Sequence, residues 1–130
     1  MSSVLEFSVS TAELDGNTFV VAAAGEADMY TAPKLEQALE GVVGLGGTSV
    51  VLDLAEVTFI DSTVLSVLLT FRGRFRELGG DLVIVSEDRR IIRTFEITGL
   101  DRLFAIERRL SDGIGAISPD SNGSASPSGA

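Results

Sequence analysis

Three polar side chains interrupt an apolar run near the middle of the sequence. Residues 59–69 read FIDSTVLSVLL, so Asp61, Ser62 and Thr63 place one carboxylate and two hydroxyls between hydrophobic stretches. A serine or threonine acts as a catalytic nucleophile when a base lies beside it. The chain has 130 residues, with no histidine and no cysteine. A Ser-His-Asp hydrolase, disulfides and thiolate metal sites are therefore excluded, and we expect no enzymatic activity, no cofactor and no metal.

The same three residues fit the start of a helix. Asp and Ser are common there because their oxygens accept hydrogen bonds from unpaired backbone N–H groups. If a helix begins at Ser62 and each residue turns about 100°, its core face consists of Val64, Val67, Leu68, Phe71, Phe75 and Leu78. The opposite arc consists of Ser62, Ser66, Leu69 and Gly73. On spacing alone, capping is the simpler interpretation of Asp61 and Ser62, and docking of another protein on this arc is the alternative.

The segments that position this helix alternate between strand and helix patterns. Residues 5–10 alternate apolar and polar side chains, and Asp15-Gly16-Asn17 forms a turn into a second apolar run at 19–24, which predicts a hairpin. Thr31 is placed to cap a following helix, with Pro33 in its first turn. Leu35, Leu39 and Val42 share one face of that helix.

The second half of the chain continues the alternation. Residues 50–54 and 82–85 are short apolar runs of the kind buried in parallel sheets. Residues 86–99 predict a helix with Ser86 as its cap and Gly99 as its stop. An edge strand at 105–109 and a short helix at 110–117 complete the pattern. We therefore predict an α/β sandwich: a mostly parallel central sheet, an antiparallel N-terminal hairpin, and helices packed on the sheet.

The chain is predicted to form one domain followed by a tail. An apolar content of 45% is enough for a core, and residues 1–117 carry all of the periodic segments. Residues 118–130 are small and polar without periodicity, which favours disorder. No apolar window approaches the length of a membrane span, and the N-terminus lacks the layout of a signal peptide. We expect a cytoplasmic protein with no membrane partner.

The negative charge is concentrated in the first half. Residues 1–70 contain ten acidic residues and one basic residue, Lys34, which gives −9. Residues 71–130 contain nine of each sign, so the net charge of −9 comes from the first half. Nucleic acid is disfavoured as a partner because its phosphates need a basic surface, and a protein with a basic face is favoured.

Three stretches together resemble STAS domains of the bacterial anti-sigma-factor antagonist family. They are GEADMYTAPKLEQAL, VVLDLAEVTFIDSTVLSVLL and GGDLVIVSEDRRIIRTFEITGLDRLF, and the resemblance covers about residues 4–117. It implies a STAS-type sandwich and a partner that is both anti-sigma factor and serine kinase. It further implies that Ser62 accepts phosphate, with a serine phosphatase as a further candidate partner.

The resemblance also assigns a docking surface and leaves alternatives open. It implies that the partner contacts the loop of Glu26 and Asp28, for which a solvated turn is an equal interpretation. The helix wheel adds Ser66, Leu69 and Gly73 of the arc to the expected contact surface, and Asp61 flanks it. Thr63 is the alternative phosphoacceptor. Val64 occupies a position where the family usually has glycine, so the partner geometry is in question. A STAS accessory subunit of a transporter, or of a larger signalling assembly, is the alternative function.

Overall fold

A computed structural model of the chain describes residues 6–117, in which five strands alternate with four α-helices. The elements are β1 (Ser8–Glu13), β2 (Thr18–Ala27), α1 (Ala32–Gly44), β3 (Ser49–Ile60), α2 (Ser62–Glu77), β4 (Leu82–Val85), α3 (Arg89–Ile97), a 3₁₀ turn (Leu100–Arg102), β5 (Ile106–Glu107) and α4 (Leu110–Ile117). The expected alternation is confirmed, including the edge strand and the last helix. The predicted disordered tail at 118–130 lies outside the described residues.

The strands form one mixed sheet in the order of the chain, β1-β2-β3-β4-β5. The hairpin strands β1 and β2 are antiparallel, and the pairs β2–β3, β3–β4 and β4–β5 are parallel. This confirms the predicted α/β class with its antiparallel start. The strand β3 is central, which explains why its residues from Val50 to Leu52 are all apolar and fully buried.

Helices cover the sheet unequally. Side chains of α1, α2 and α3 form one apolar cluster with one face of the sheet; its helix members include Leu39, Leu68, Phe75 and Phe95, all fully buried. The helix α4 contacts β3 and β4. A Cβ on its Gly113 would lie 2.6 Å from a methyl of Val85. This glycine lets α4 approach the sheet closely.

The strand β3 is longer than the sequence pattern indicates, because it is bulged. Prediction placed it at 50–54, whereas it extends to Ile60. Its register with β2 shifts twice, between Ala22 and Ala24 and again between Gly25 and Glu26 of β2. Each shift leaves one extra residue on β3, which breaks the alternation of buried and exposed side chains. The bulged half carries the chain to the start of α2.

Two predicted helix caps are wrong. Thr31 occupies the N-cap position of α1, but its side chain makes no capping bond there. Its hydroxyl accepts from the Asp28 N–H at 2.8 Å and donates to the Glu26 carbonyl at 3.0 Å. Ser86 is fully buried and accepts from the Asp88 N–H at 3.1 Å. The N-cap of α3 is Asp88, whose side chain accepts from the Arg90 N–H at 2.8 Å.

The helix α2 begins at Ser62 as predicted, and two residues, Leu65 and Leu78, depart from the predicted core face. Val64, Leu68, Phe71 and Phe75 are buried and Val67 is half-buried. Leu78 was expected on this face but is half exposed, because the helix has ended and Leu78 lies at its C-cap. Leu65, which the wheel did not assign to the core, is buried. Leu65 widens the buried face of α2.

Candidate functional site

The carboxylate of Asp61 joins two segments of the chain at the start of α2. One oxygen accepts from the Val64 N–H at 3.1 Å, which caps the helix, and the other accepts from the Met29 N–H at 2.9 Å. The backbone N–H of Asp61 donates to the Ala27 carbonyl at 3.2 Å. The predicted cap is confirmed, and the same side chain also fixes the loop between β2 and α1. Asp61 therefore places that loop beside Ser62.

The loop is shaped by a second aspartate. One oxygen of Asp28 accepts from the N–H groups of Tyr30 and Thr31 at 2.9 and 3.1 Å. Asp28 is half-buried, whereas Glu26 is exposed. Within β2, position 25 requires glycine, because its φ is +104° and a Cβ there would lie 3.1 Å from the Phe7 Cα. Asp28 is committed to loop structure, whereas Glu26, which was predicted in the loop, lies in β2 and faces solvent.

The predicted docking arc of α2 lies on the molecular surface. Ser62, Ser66, Leu69 and Gly73 are all exposed, and 37% of Leu69 remains accessible. Thr63 is also exposed, so burial does not distinguish it from Ser62 as an acceptor of phosphate. Val64 is buried against the core, with only 1% exposed. The branched side chain in place of the family's glycine is absorbed by packing.

Three apolar residues beside the arc were missed from the sequence. Met29 and Tyr30 of the loop are 57% and 82% exposed, and Phe59 of β3 is 48% exposed. Phe59 pairs in register with Glu26, two residues before Asp61. Met29 and Tyr30 could have been found as an apolar pair inside a turn. The exposure of Phe59 could not be predicted, because it depends on the bulges of β3. We call Met29, Tyr30 and Phe59 the apolar rim.

Four arginines of α2 and α3 form ion pairs. On α2, Arg72 and Arg76 pair with Asp81 at 3.6 and 3.5 Å, and Arg74 pairs with Glu40 of α1. On α3, Arg90 pairs with Asp88 at 2.7 Å. The Arg90 guanidinium, together with its backbone N–H, lowers the pKa of Asp88 to about 2. These are pairs at the surface, where an ion pair contributes about 1 kcal/mol or less.

Residues 6–117 contain no group of three acidic side chains placed to hold a metal ion. Within that range no helix has both the length and the apolar content required to cross a bilayer.

Ser62 therefore presents an exposed hydroxyl at the start of a helix, with acidic and apolar residues around it. The STAS domain model matches residues 9–113. The chain belongs to the STAS domain family.

Named relatives agree with this assignment. The chain is 36% identical over 103 residues to the anti-sigma-B factor antagonist of Listeria monocytogenes, covering 79% of this chain and 90% of that protein. It is 33% identical over 98 residues to the Bacillus subtilis protein of the same name, covering 75% and 89%. The crystal structure of an anti-sigma factor antagonist from Mycobacterium paratuberculosis superposes with a TM-score of 0.75 at 32% identity, covering 86% and 94%. The chain is therefore similar to regulators of sigma factors.

Proposed function

We propose that this protein is an anti-sigma-factor antagonist that binds an anti-sigma factor with serine kinase activity, releases the sigma factor held there, and is switched off by phosphorylation of Ser62. The observation that carries the proposal is the exposed Ser62 hydroxyl at the first position of α2, beside a loop that Asp61 holds in place. Its support comes from the anti-sigma-B factor antagonists to which the chain is similar.

The docking surface combines the arc of α2 with the apolar rim. Leu69, Met29, Tyr30 and Phe59 supply exposed apolar area, and apolar and aromatic side chains dominate the energetic centres of protein interfaces. Glu26, Glu56 and Asp61 add negative charge around them. The partner therefore presents apolar pockets within a basic face.

Phosphorylation changes the surface and leaves the fold intact. The Ser62 oxygen forms a bond to the γ-phosphorus of ATP, the bond to ADP breaks, and a base of the kinase takes the hydroxyl proton. The product adds about 1.5 to 2 negative charges and a bulky group at the edge of the contact. The start of α2 tolerates phosphate because the helix dipole favours an anion there, while Asp61 opposes it. Partner binding is lost because the phosphate obstructs the contact.

A labelling assay with candidate kinases and radioactive ATP tests the proposal. We expect label on the wild-type chain and on Thr63→Ala, and none on Ser62→Ala, which still binds the partner. Labelled Ser62→Ala would move the site to Thr63 or elsewhere and would contradict the assignment of Ser62. Co-purification separates the functions: an ATPase-kinase domain in the eluate supports the proposal, and transporter subunits in its place would contradict it.

A further inference from the structure

A cavity on the side of α3 is lined by three arginines that come from two parts of the chain. Arg89 and Arg93 project from α3, and Arg108 follows β5. Glu87, Ile92 and Glu96 complete the lining of a volume of about 340 Å³. This site is separate from the arc of α2, because none of its lining residues belongs to α2 or to the loop at 28–31.

Five arginines form no ion pair among the described residues, and three of them line this cavity; the other two are Arg102 and Arg109. Among the described residues, Arg72, Arg74, Arg76 and Arg90 each form an ion pair with an aspartate or glutamate. In residues 6–117, no carboxylate oxygen lies within 4.0 Å of a guanidinium nitrogen of Arg89, Arg93 or Arg108. Two glutamates line the cavity and still do not pair with them. The guanidinium groups are left available to a ligand.

The local charge is opposite in sign to that of the whole chain. Three guanidinium groups against two carboxylates give the cavity +1, whereas the chain carries −9. Repulsion from the rest of the molecule disfavours a large polyanion, so the ligand is small. The cavity volume also favours a small ligand, because about 340 Å³ is at the lower end of the roughly 300 to 1,000 Å³ typical of small-molecule sites.

We propose that this cavity binds the phosphate group of a small soluble anion, held by Arg89, Arg93 and Arg108. Guanidinium groups present pairs of N–H donors that match phosphate oxygens, and such charge-assisted bonds are about twice as strong as neutral ones. A phosphate offers enough oxygens to engage all three arginines together, whereas a single carboxylate has two. Glu87 and Glu96 also line the cavity, and their carboxylates select against anions that carry further negative charge near them.

Amide NMR shifts measured during a phosphate titration test this site without any protein partner. The full chain is titrated with inorganic phosphate, and separately with glycerol 3-phosphate, at constant ionic strength set with sodium chloride. We expect saturable shifts confined to the amides of residues 87–96 and 108. Arg93→Gln and Arg108→Gln should each weaken binding at least about tenfold. Arg102→Gln, at an exposed arginine outside the cavity, should leave it unchanged.

The outcomes separate a site from general charge effects. Thermal melts test whether each variant is folded. We expect all of them to be folded, because the replaced arginines are exposed. Saturation by either probe with the expected arginine dependence supports the proposal. It would be overturned by shifts that do not saturate, by equal weakening in Arg102→Gln, or by binding only to vesicles of phosphatidylcholine and phosphatidic acid. Failure here leaves the labelling of Ser62 unaffected, because the two experiments share neither residues nor reagents.

Discussion

At the scale of single residues, Asp61 connects capping to recognition. Helix capping and a role in partner recognition are compatible interpretations of this residue, because its two oxygens accept hydrogen bonds from different segments. One of them stabilises α2, and the other holds the loop that carries Met29 and Tyr30. A side chain with one oxygen would serve only one of these segments.

Asp61→Ala should destabilise the domain by about 1 to 3 kcal/mol, since an N-cap contributes about 0.5 to 2 and a second hydrogen bond about 0.5 to 1.5. Asp61→Asn keeps one acceptor oxygen and a good capping residue, so we expect a loss of about 1 kcal/mol or less. Urea unfolding measures both. Equal losses in the two variants would contradict the division of labour between the oxygens.

Leu68 and Leu69 form a matched pair of neighbours with opposite environments. Leu69→Ser should change stability by less than about 1 kcal/mol, because 37% of this side chain is exposed. It should weaken partner binding by about 1 to 3 kcal/mol, the range for an interface anchor. Leu68→Ala should cost about 2 to 5 kcal/mol of stability, because Leu68 is fully buried.

Urea melts distinguish the two leucines before any partner is known. A drop of several kcal/mol for Leu69→Ser would contradict the exposed arc and the docking surface built on it. Titration of the partner with Leu69→Ser then measures the binding contribution, with Thr70→Ser, an exposed neighbour on α2, as control.

At the scale of elements, helix periodicity predicted the start and the buried stripe of α2 because both depend on local spacing. It misassigned Leu65 and Leu78, since the width of a buried stripe and the last turn of a helix are set by neighbouring elements. The exposure of Phe59 was not predicted for a similar reason. Its exposure follows from two register shifts against β2, and no pattern within β3 alone encodes a shift relative to another strand.

The Gly79-Gly80 pair ends α2, and its two glycines are needed for different reasons. Gly79 has a φ of +90° with open space around it, so Gly79→Ala should cost about 1 to 2 kcal/mol in backbone strain. A Cβ on Gly80 would lie 1.8 Å from the Thr48 carbonyl oxygen. Gly80→Ala forces the backbone to move, and we expect a loss of about 3 kcal/mol or more. Urea melts that rank the two variants equally would contradict this distinction.

At the scale of the whole molecule, the charge asymmetry read from the sequence predicts how the partner approaches. The acids of the first half include Glu26, which pairs in register with Phe59 of the apolar rim, and Glu56, which precedes Phe59 in the bulged half of β3. The class and order of the elements followed from the sequence because α/β alternation is a local property. The arginine-lined cavity could not be predicted from the sequence, because only the tertiary fold brings Arg108 next to α3.

Removing two acids near the arc should slow association with the kinase partner. Glu26→Gln combined with Glu56→Gln should lower the association rate severalfold at low salt and flatten its dependence on ionic strength. Glu13→Gln combined with Glu77→Gln removes the same charge at the end of β1 and the end of α2, away from Ser62, and should have a smaller effect. Stopped-flow measurements at several salt concentrations compare them, and equal rates in the two double variants would contradict steering by the docking surface.

The order of the strands has a consequence for how the chain folds. Each strand pairs with the one that precedes it along the sequence, so every new pairing closes a loop no longer than one crossover. Short closures favour fast folding for a largely parallel sheet. When synthesis has passed α2, residues 6–77 already contain β1, β2, β3 and both segments joined by Asp61. All residues of the surface around Ser62 therefore precede β4, α3, β5 and α4, which extend the sheet on the side of β3 away from β2.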